Sequence, residues 1–180
     1  MAVTHPQTVL AAIAISGRVE SNAVQPPSPL AAVKAGDNIT LSFHADPQSQ
    51  SASESNVHAY KIIASTFNLA FETAKLNISS TTPSYFVLYK GMPKADGFWV
   101  SSSPQSPGGV PIVTTPDGFQ ATAELGYEGG TLPSTDIIAA AGVYKYDNLT
   151  RFGFDVWKVI PDNIALGFSF EALEIRKIER

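Results

Sequence analysis

Residues 152–175 read FGFDVWKVIPDNIALGFSFEALEI, and their spacing decides the fold class. Phe152, Phe154 and Val156 fall on one face of an extended chain; Gly153, Asp155 and Trp157 fall on the other. Pro161-Asp162-Asn163 then supplies a turn, because proline presets φ and Asp or Asn tolerate the bends that follow. In the next run Ile164, Leu166, Phe168 and Phe170 share one face, and Ala165, Gly167 and Ser169 share the other. A period of two is what a sheet with one buried face demands. Beyond Phe170 the apolar register moves by one, to Leu173 and Ile175, which predicts a bulge near Glu171-Ala172. The inner face of this hairpin is expected to be core, so any function it has belongs on the outer face, at Asp155, Trp157 and the turn around Asp162.

The same pattern recurs in both directions. Ala12–Glu20 is a first strand with a bulge at Gly17, entered through the apolar run Val9–Ile15. Ile39–His44 places Ile39, Leu41 and Phe43 inward. Tyr60–Phe71 carries a third strand pattern, and Leu76 and Ile78 continue it after a tight turn at Glu72–Lys75. Ser84–Tyr89, Phe98–Val100 and Phe119–Tyr127 follow. Between them lie a proline-rich loop (Asn22–Leu30), a Ser-rich stretch (Asp46–Asn56) read as exposed and mobile, and a second long loop (Ser101–Gly109). Asp136–Ala141 fits either one helical turn or a strand edge. Nine or ten short strands with turn signals every 8–12 residues are the pattern of an all-β protein, an antiparallel β-sandwich of jelly-roll-like type. The expected domain runs over residues 9–178, with residues 1–8 as a loose lead and Met1-Ala2 as an expression start on a mature chain.

Composition agrees and removes several functions. Only 16% of the 180 residues are charged, and 13 Gly and 13 Pro serve many turns. A net charge of −4 without a basic run argues against a nucleic-acid partner, since backbone binding needs a concentrated basic face. The Val9–Ile15 run is far short of the ~20 residues that span a bilayer, and no basic n-region precedes it. Absence of cysteine removes disulfides and thiolate zinc sites. His5, His44 and His58 show no zinc-enzyme spacing and no G-x-S-x-G elbow is present, so the chain reads as no enzyme. For cofactors the expectation is none, with calcium at Asp37 and Asp46 set against plain turn chemistry for the same residues. Trp99, Trp157, Tyr89 and Asp155 form the candidate ligand site. Exposed aromatics stack on sugar faces while carboxylates take hydroxyls; the competing reading is core or interface packing. Asn38, Asn77 and Asn148 open sequons expected by chance in so Ser/Thr-rich a chain.

Ile15–Ser21 (ISGRVES), Val33–Asp46 (VKAGDNITLSFHAD), Leu132-Pro133 and Leu166–Ile175 together resemble the β-sandwich ectodomains of secreted bacterial PEP-CTERM-type proteins. The chain departs from that pattern in lacking the sorting tail. The resemblance implies export to the cell surface or extracellular matrix, in an exopolysaccharide-rich setting, with no assigned reaction. The expectation is therefore a carbohydrate- or protein-binding surface module. The alternative is a structural subunit of a homo-oligomer or larger assembly, built through an edge strand or an apolar patch.

Overall fold

The computed structural model describes residues 8–78, 81–112, 118–159 and 163–179. His5, Asp117 and the turn residues Pro161-Asp162 lie outside them. Among the described residues the regular structure is antiparallel β, with three single-turn 3-10 segments and no α-helix.

Thirteen strands join one sheet. In chain order they are β1 (Val9–Asn22), β2 (Asn38–Ala45), β3 (Ser51–Glu54), β4 (Val57–Lys61), β5 (Asn68–Phe71), β6 (Lys75–Leu76) and β7 (Tyr85–Tyr89). They continue as β8 (Ala95–Ser101), β9 (Val110–Pro111), β10 (Phe119–Glu128), β11 (Gly142–Tyr144), β12 (Leu149–Lys158) and β13 (Asn163–Glu179). Across the sheet the order is β3-β4-β7-β8-β10-β12-β13-β1-β2-β5-β6, with β11 beside β13 and β9 beside β10. The count exceeds the expected nine or ten because β6 and β9 are only two residues long and β11 only three, too short to show a period.

The sheet curls until distant strands face each other. The Ile63 N–H donates to the His44 carbonyl (2.9 Å) and the Asp46 N–H to that of Lys61 (3.2 Å), tying the end of β2 to the segment after β4. Inside the curl, Phe43 of β2 meets Phe86 of β7 at 5.5 Å between ring centres and Phe67 at 6.0 Å. Phe98 of β8 meets Tyr144 of β11 at 4.8 Å. Every strand with clean alternation points its apolar set here. β2 buries Ile39, Leu41 and Phe43, and β10 buries Phe119, Ala121, Ala123 and Leu125 while Gln120, Thr122 and Glu124 face outward. Cutting Phe43 or Phe86 back to Ala in so closed a core costs about 3–5 kcal/mol.

Several expectations need correction. Tyr60–Phe71 is not one strand. After β4 the chain makes a 3-10 turn at Ala64–Thr66 and crosses to the far end of the sheet as β5. The Ser-rich stretch is largely exposed as expected, but it carries regular structure, a 3-10 turn at Pro47–Ser49 and β3 pairing with β4. Asp136–Ala141 resolves as a helical turn: the Ala140 N–H donates to the Asp136 carbonyl, and Asp136 Oδ1 accepts from Ile138 and Ala139 N–H. In the β12–β13 hairpin, Phe154, Val156, Leu166, Phe168 and Phe170 are buried as expected, but Phe152 is 41% and Ile164 48% exposed. The pairing explains Ile164. Val156 lies opposite Leu166 but Trp157 lies opposite Ile164, so Ala165 is an extra residue that turns Ile164 outward. Phe152 precedes the stretch where β12 pairs with β13, so β13 does not cover it. The second bulge falls where the alternation places it. Ser16 pairs with Ala172 and Gly17 with Phe170, leaving Glu171 unpaired.

Asp96 and Tyr60 are among the polar side chains that pin the loop at residues 129–141. Asp96 is wholly buried within β8; its Oδ1 accepts from Gly91 N–H (2.8 Å), and its Oδ2 from Gly130 (2.9 Å) and Leu132 N–H (2.8 Å). The Tyr60 hydroxyl donates to the Thr135 carbonyl (2.8 Å) and accepts from Ile137 N–H (3.2 Å). Burial pushes its pKa up to about 12.

Candidate functional site

The outer face of β7–β8–β10–β12 carries most of the aromatic and acidic candidates, in two adjoining parts. In the first, Tyr89 and Trp99 meet at 5.1 Å between ring centres, tilted by 33°, and pack with Val57, Ala59 and Val87 into a small second core. Trp99 is only 8% exposed and Tyr89 is buried too, so packing is their observed role and neither offers a face to a ligand. The Tyr89 ring lies across two glycines of neighbouring strands: a Cβ on Gly97 would stand 2.5 Å from its hydroxyl, and one on Gly126 3.1 Å. Burial raises the Tyr89 pKa, against a lowering influence from Arg151. Arg151 in turn pairs with Glu124 across the β10–β12 ladder.

The second part is a cleft of about 310 Å3. Its walls are Thr122 and Glu124 of β10, Gly153, Asp155 and Trp157 of β12, and Pro107 and Gly108 from the loop between β8 and β9. Pairing sets this geometry. Thr122 lies directly opposite Asp155 and Glu124 opposite Gly153, so their side chains share a face and the two acids are diagonal neighbours. The Thr122 hydroxyl donates to Asp155 Oδ1 at 2.6 Å. Burial raises the Asp155 carboxyl above its ordinary range, and this hydrogen bond pulls it part of the way back. Trp157 is half-buried along the same wall.

The structure thus brings Asp155 and Trp157 together and separates them from Tyr89 and Trp99. The polar positions of β10 were visible as an alternating face, but only strand pairing puts Thr122 and Glu124 beside Asp155. The calcium candidates are not brought together. Asp37 and Asp46 flank opposite ends of β2, roughly 30 Å apart at strand rise. Each carboxylate serves its own turn: Asp37 accepts from Lys34 N–H (2.9 Å) and Asp46 from Gln48 N–H (2.8 Å). Among the described residues no group of three or more His, Asp or Glu gathers at metal-binding range, and no helix is long and apolar enough to cross a membrane.

Compared with known protein families, curated proteins and solved structures, the chain matches none.

Proposed function

We propose that this protein is an exported, non-enzymatic cell-surface or extracellular-matrix module, a jelly-roll-like β-sandwich that binds glycan in the β8–β10–β12 cleft. One observation carries the reading: Trp157, Asp155, Thr122 and Glu124 line a single cleft. An aromatic face beside convergent hydroxyl and carboxylate acceptors is the chemistry a sugar ring needs, apolar on its C–H face and hydroxylated at its rim. The exported setting draws its support from the resemblance of Ile15–Ser21 and Val33–Asp46 to PEP-CTERM-type ectodomains. The test is a glycan array followed by titration of the best binder. Trp157→Ala should weaken binding roughly tenfold or more while leaving the urea midpoint in place. A folded wild-type protein that binds no glycan would overturn the reading.

The structural-subunit reading has its own observation. Tyr146 and Phe152 contact each other at 6.1 Å between ring centres, and both are exposed. Light scattering separates the two: a monomer at high concentration counts against assembly through this pair.

A further inference from the structure

The charge of the cleft selects among glycans. Its titratable lining residues are Glu124 and Asp155, and no Lys, Arg or His lines it among the described residues. The basic side chains in the neighbourhood are already engaged. Arg151 pairs with Glu124, and the Lys158 ammonium sits over the Phe119 ring, 5.7 Å from its centre, on the other face of the sheet. An anionic sugar would meet two carboxylates here, of which only Glu124 is paired with a cation, and like charges are unfavourable at close range.

Each acid is fixed by one oxygen and presents the other. Asp155 is held through Oδ1 by Thr122, and Glu124 through Oε1 by Arg151. Among the described residues no hydrogen bond reaches Asp155 Oδ2 or Glu124 Oε2. The two side chains are diagonal cross-strand neighbours, roughly 7–8 Å apart. Between them Gly153 leaves the floor open, since a Cβ built there meets nothing within 4 Å. Trp157 adds an indole, the side chain that attracts a cation to its face most strongly.

We infer that the ligand of this cleft is a cationic glycan, an oligosaccharide of amino sugars bearing free ammonium groups, held between Asp155 and Glu124 against Trp157. The inference rests on the glycan reading and narrows it. An ammonium donates to Asp155 Oδ2 and Glu124 Oε2, and the sugar's hydroxyls use the acceptor capacity that remains. It also offsets the desolvation that raises the Asp155 pKa, because an opposite charge favours the ionised carboxylate. The net charge of −4 draws such a ligand in.

The experiment is calorimetric titration of the whole chain, at mildly acidic pH, with a fully deacetylated β-1,4-glucosamine hexamer and with its N-acetylated counterpart. The deacetylated hexamer should bind at least tenfold more tightly. Asp155→Asn or Glu124→Gln should each cut that preference by roughly ten- to a hundredfold, the worth of a charge-assisted hydrogen bond. Gly153→Val, whose Cβ meets nothing within 4 Å, should abolish both affinities, and Glu179→Gln, twelve residues along β13 from the Gly167 that pairs with Asp155, should change neither. Urea midpoints confirm that each variant is folded. Equal or tighter binding of the acetylated hexamer overturns the cationic inference and leaves the glycan reading standing. Binding of neither hexamer overturns both. A preference that survives Gly153→Val and the Asp155→Asn/Glu124→Gln double variant belongs to the acidic surface at large and overturns the assignment to this cleft.

Discussion

Asp96 offers the sharpest test of how the sheet holds its loops. Replacing it with Ala removes a buried carboxylate and with it three hydrogen bonds from Gly91, Gly130 and Leu132. The donors are not equivalent. Gly91 and Gly130 are exposed, so water can take over their N–H groups at a net loss of about 1 kcal/mol each. Leu132 is fully buried, and its orphaned N–H costs about 1–3 kcal/mol. The sum is about 3–5 kcal/mol, a large share of the 5–15 kcal/mol expected for a whole domain. Asp96→Asn should be milder, about 1–2 kcal/mol, because an amide oxygen in the Oδ2 position keeps the Gly130 and Leu132 bonds. Only Gly91 then faces an NH2 group. Urea unfolding followed by the fluorescence of Trp99 and Trp157 gives both values, and hydrogen exchange at the Leu132 amide gives the local one. An Ala variant that loses less than about 1 kcal/mol, or an Asn variant as damaging as Ala, would refute the reasoning.

Four other outcomes follow from the same geometry. Tyr60→Phe should cost about 1–2 kcal/mol by stranding the Thr135 carbonyl and the Ile137 N–H. Burial raises the phenol pKa of Tyr60, Tyr89, Tyr127 and Tyr144, so the unfolded chain loses these protons first. Stability should therefore fall as pH rises above about 10, with the phenolate absorbance of these four rings appearing on unfolding. Asp155 has a raised pKa and binds its proton more readily when folded, so its ionised form costs stability above that pKa and costs nothing below the ordinary Asp value near about 3.9. Asp155→Asn should thus be more stable than the wild type at neutral pH, with an advantage that fades as pH falls; a gap that stays constant with pH would refute this. Gly97→Ala should be severely destabilising, since its Cβ would lie 2.1 Å from the Leu125 carbonyl oxygen, a backbone atom. Gly126→Ala meets the Tyr89 hydroxyl at 3.1 Å and should be tolerated far better, a contrast that thermal melts would show.

Legibility in the sequence followed the length of each element. Long strands with clean alternation, such as Phe119–Tyr127 and the β12–β13 hairpin, declared their inner faces, and the slip from Phe170 to Leu173 declared a bulge. The bulge at Ala165 was not readable. Ala165 and Gly167 are small enough to suit either face, so the pattern through Ile164 and Leu166 looked unbroken. Likewise Tyr60–Phe71 looked continuous, because a 3-10 turn of Ala-Ser-Thr breaks no hydrophobic period. At the site, Asp155 and Trp157 were visible as an outer face on one strand. Thr122 and Glu124 were not, since they join the cleft only through the β10–β12 register, and pairing partners far apart in sequence leave no local signal. Trp99 looked like Trp157 in composition. Its burial comes from Val57, Ala59 and Val87 on β4 and β7, which a reading of its own strand cannot see.

The centre of the sheet is made from the two strands farthest apart along the chain. β1 runs antiparallel to β13 from Val9 beside Glu179 to Asn22 beside Leu166. Closing that ladder means closing a loop of nearly the whole chain, which is entropically the most demanding step in the fold. Until β13 has emerged, β1 has only β2 to pair with and exposes an unsatisfied edge of 14 residues. Such a chain gains little by folding while it is being made. It is suited to closing late, all at once, when β13 arrives between β12 and β1.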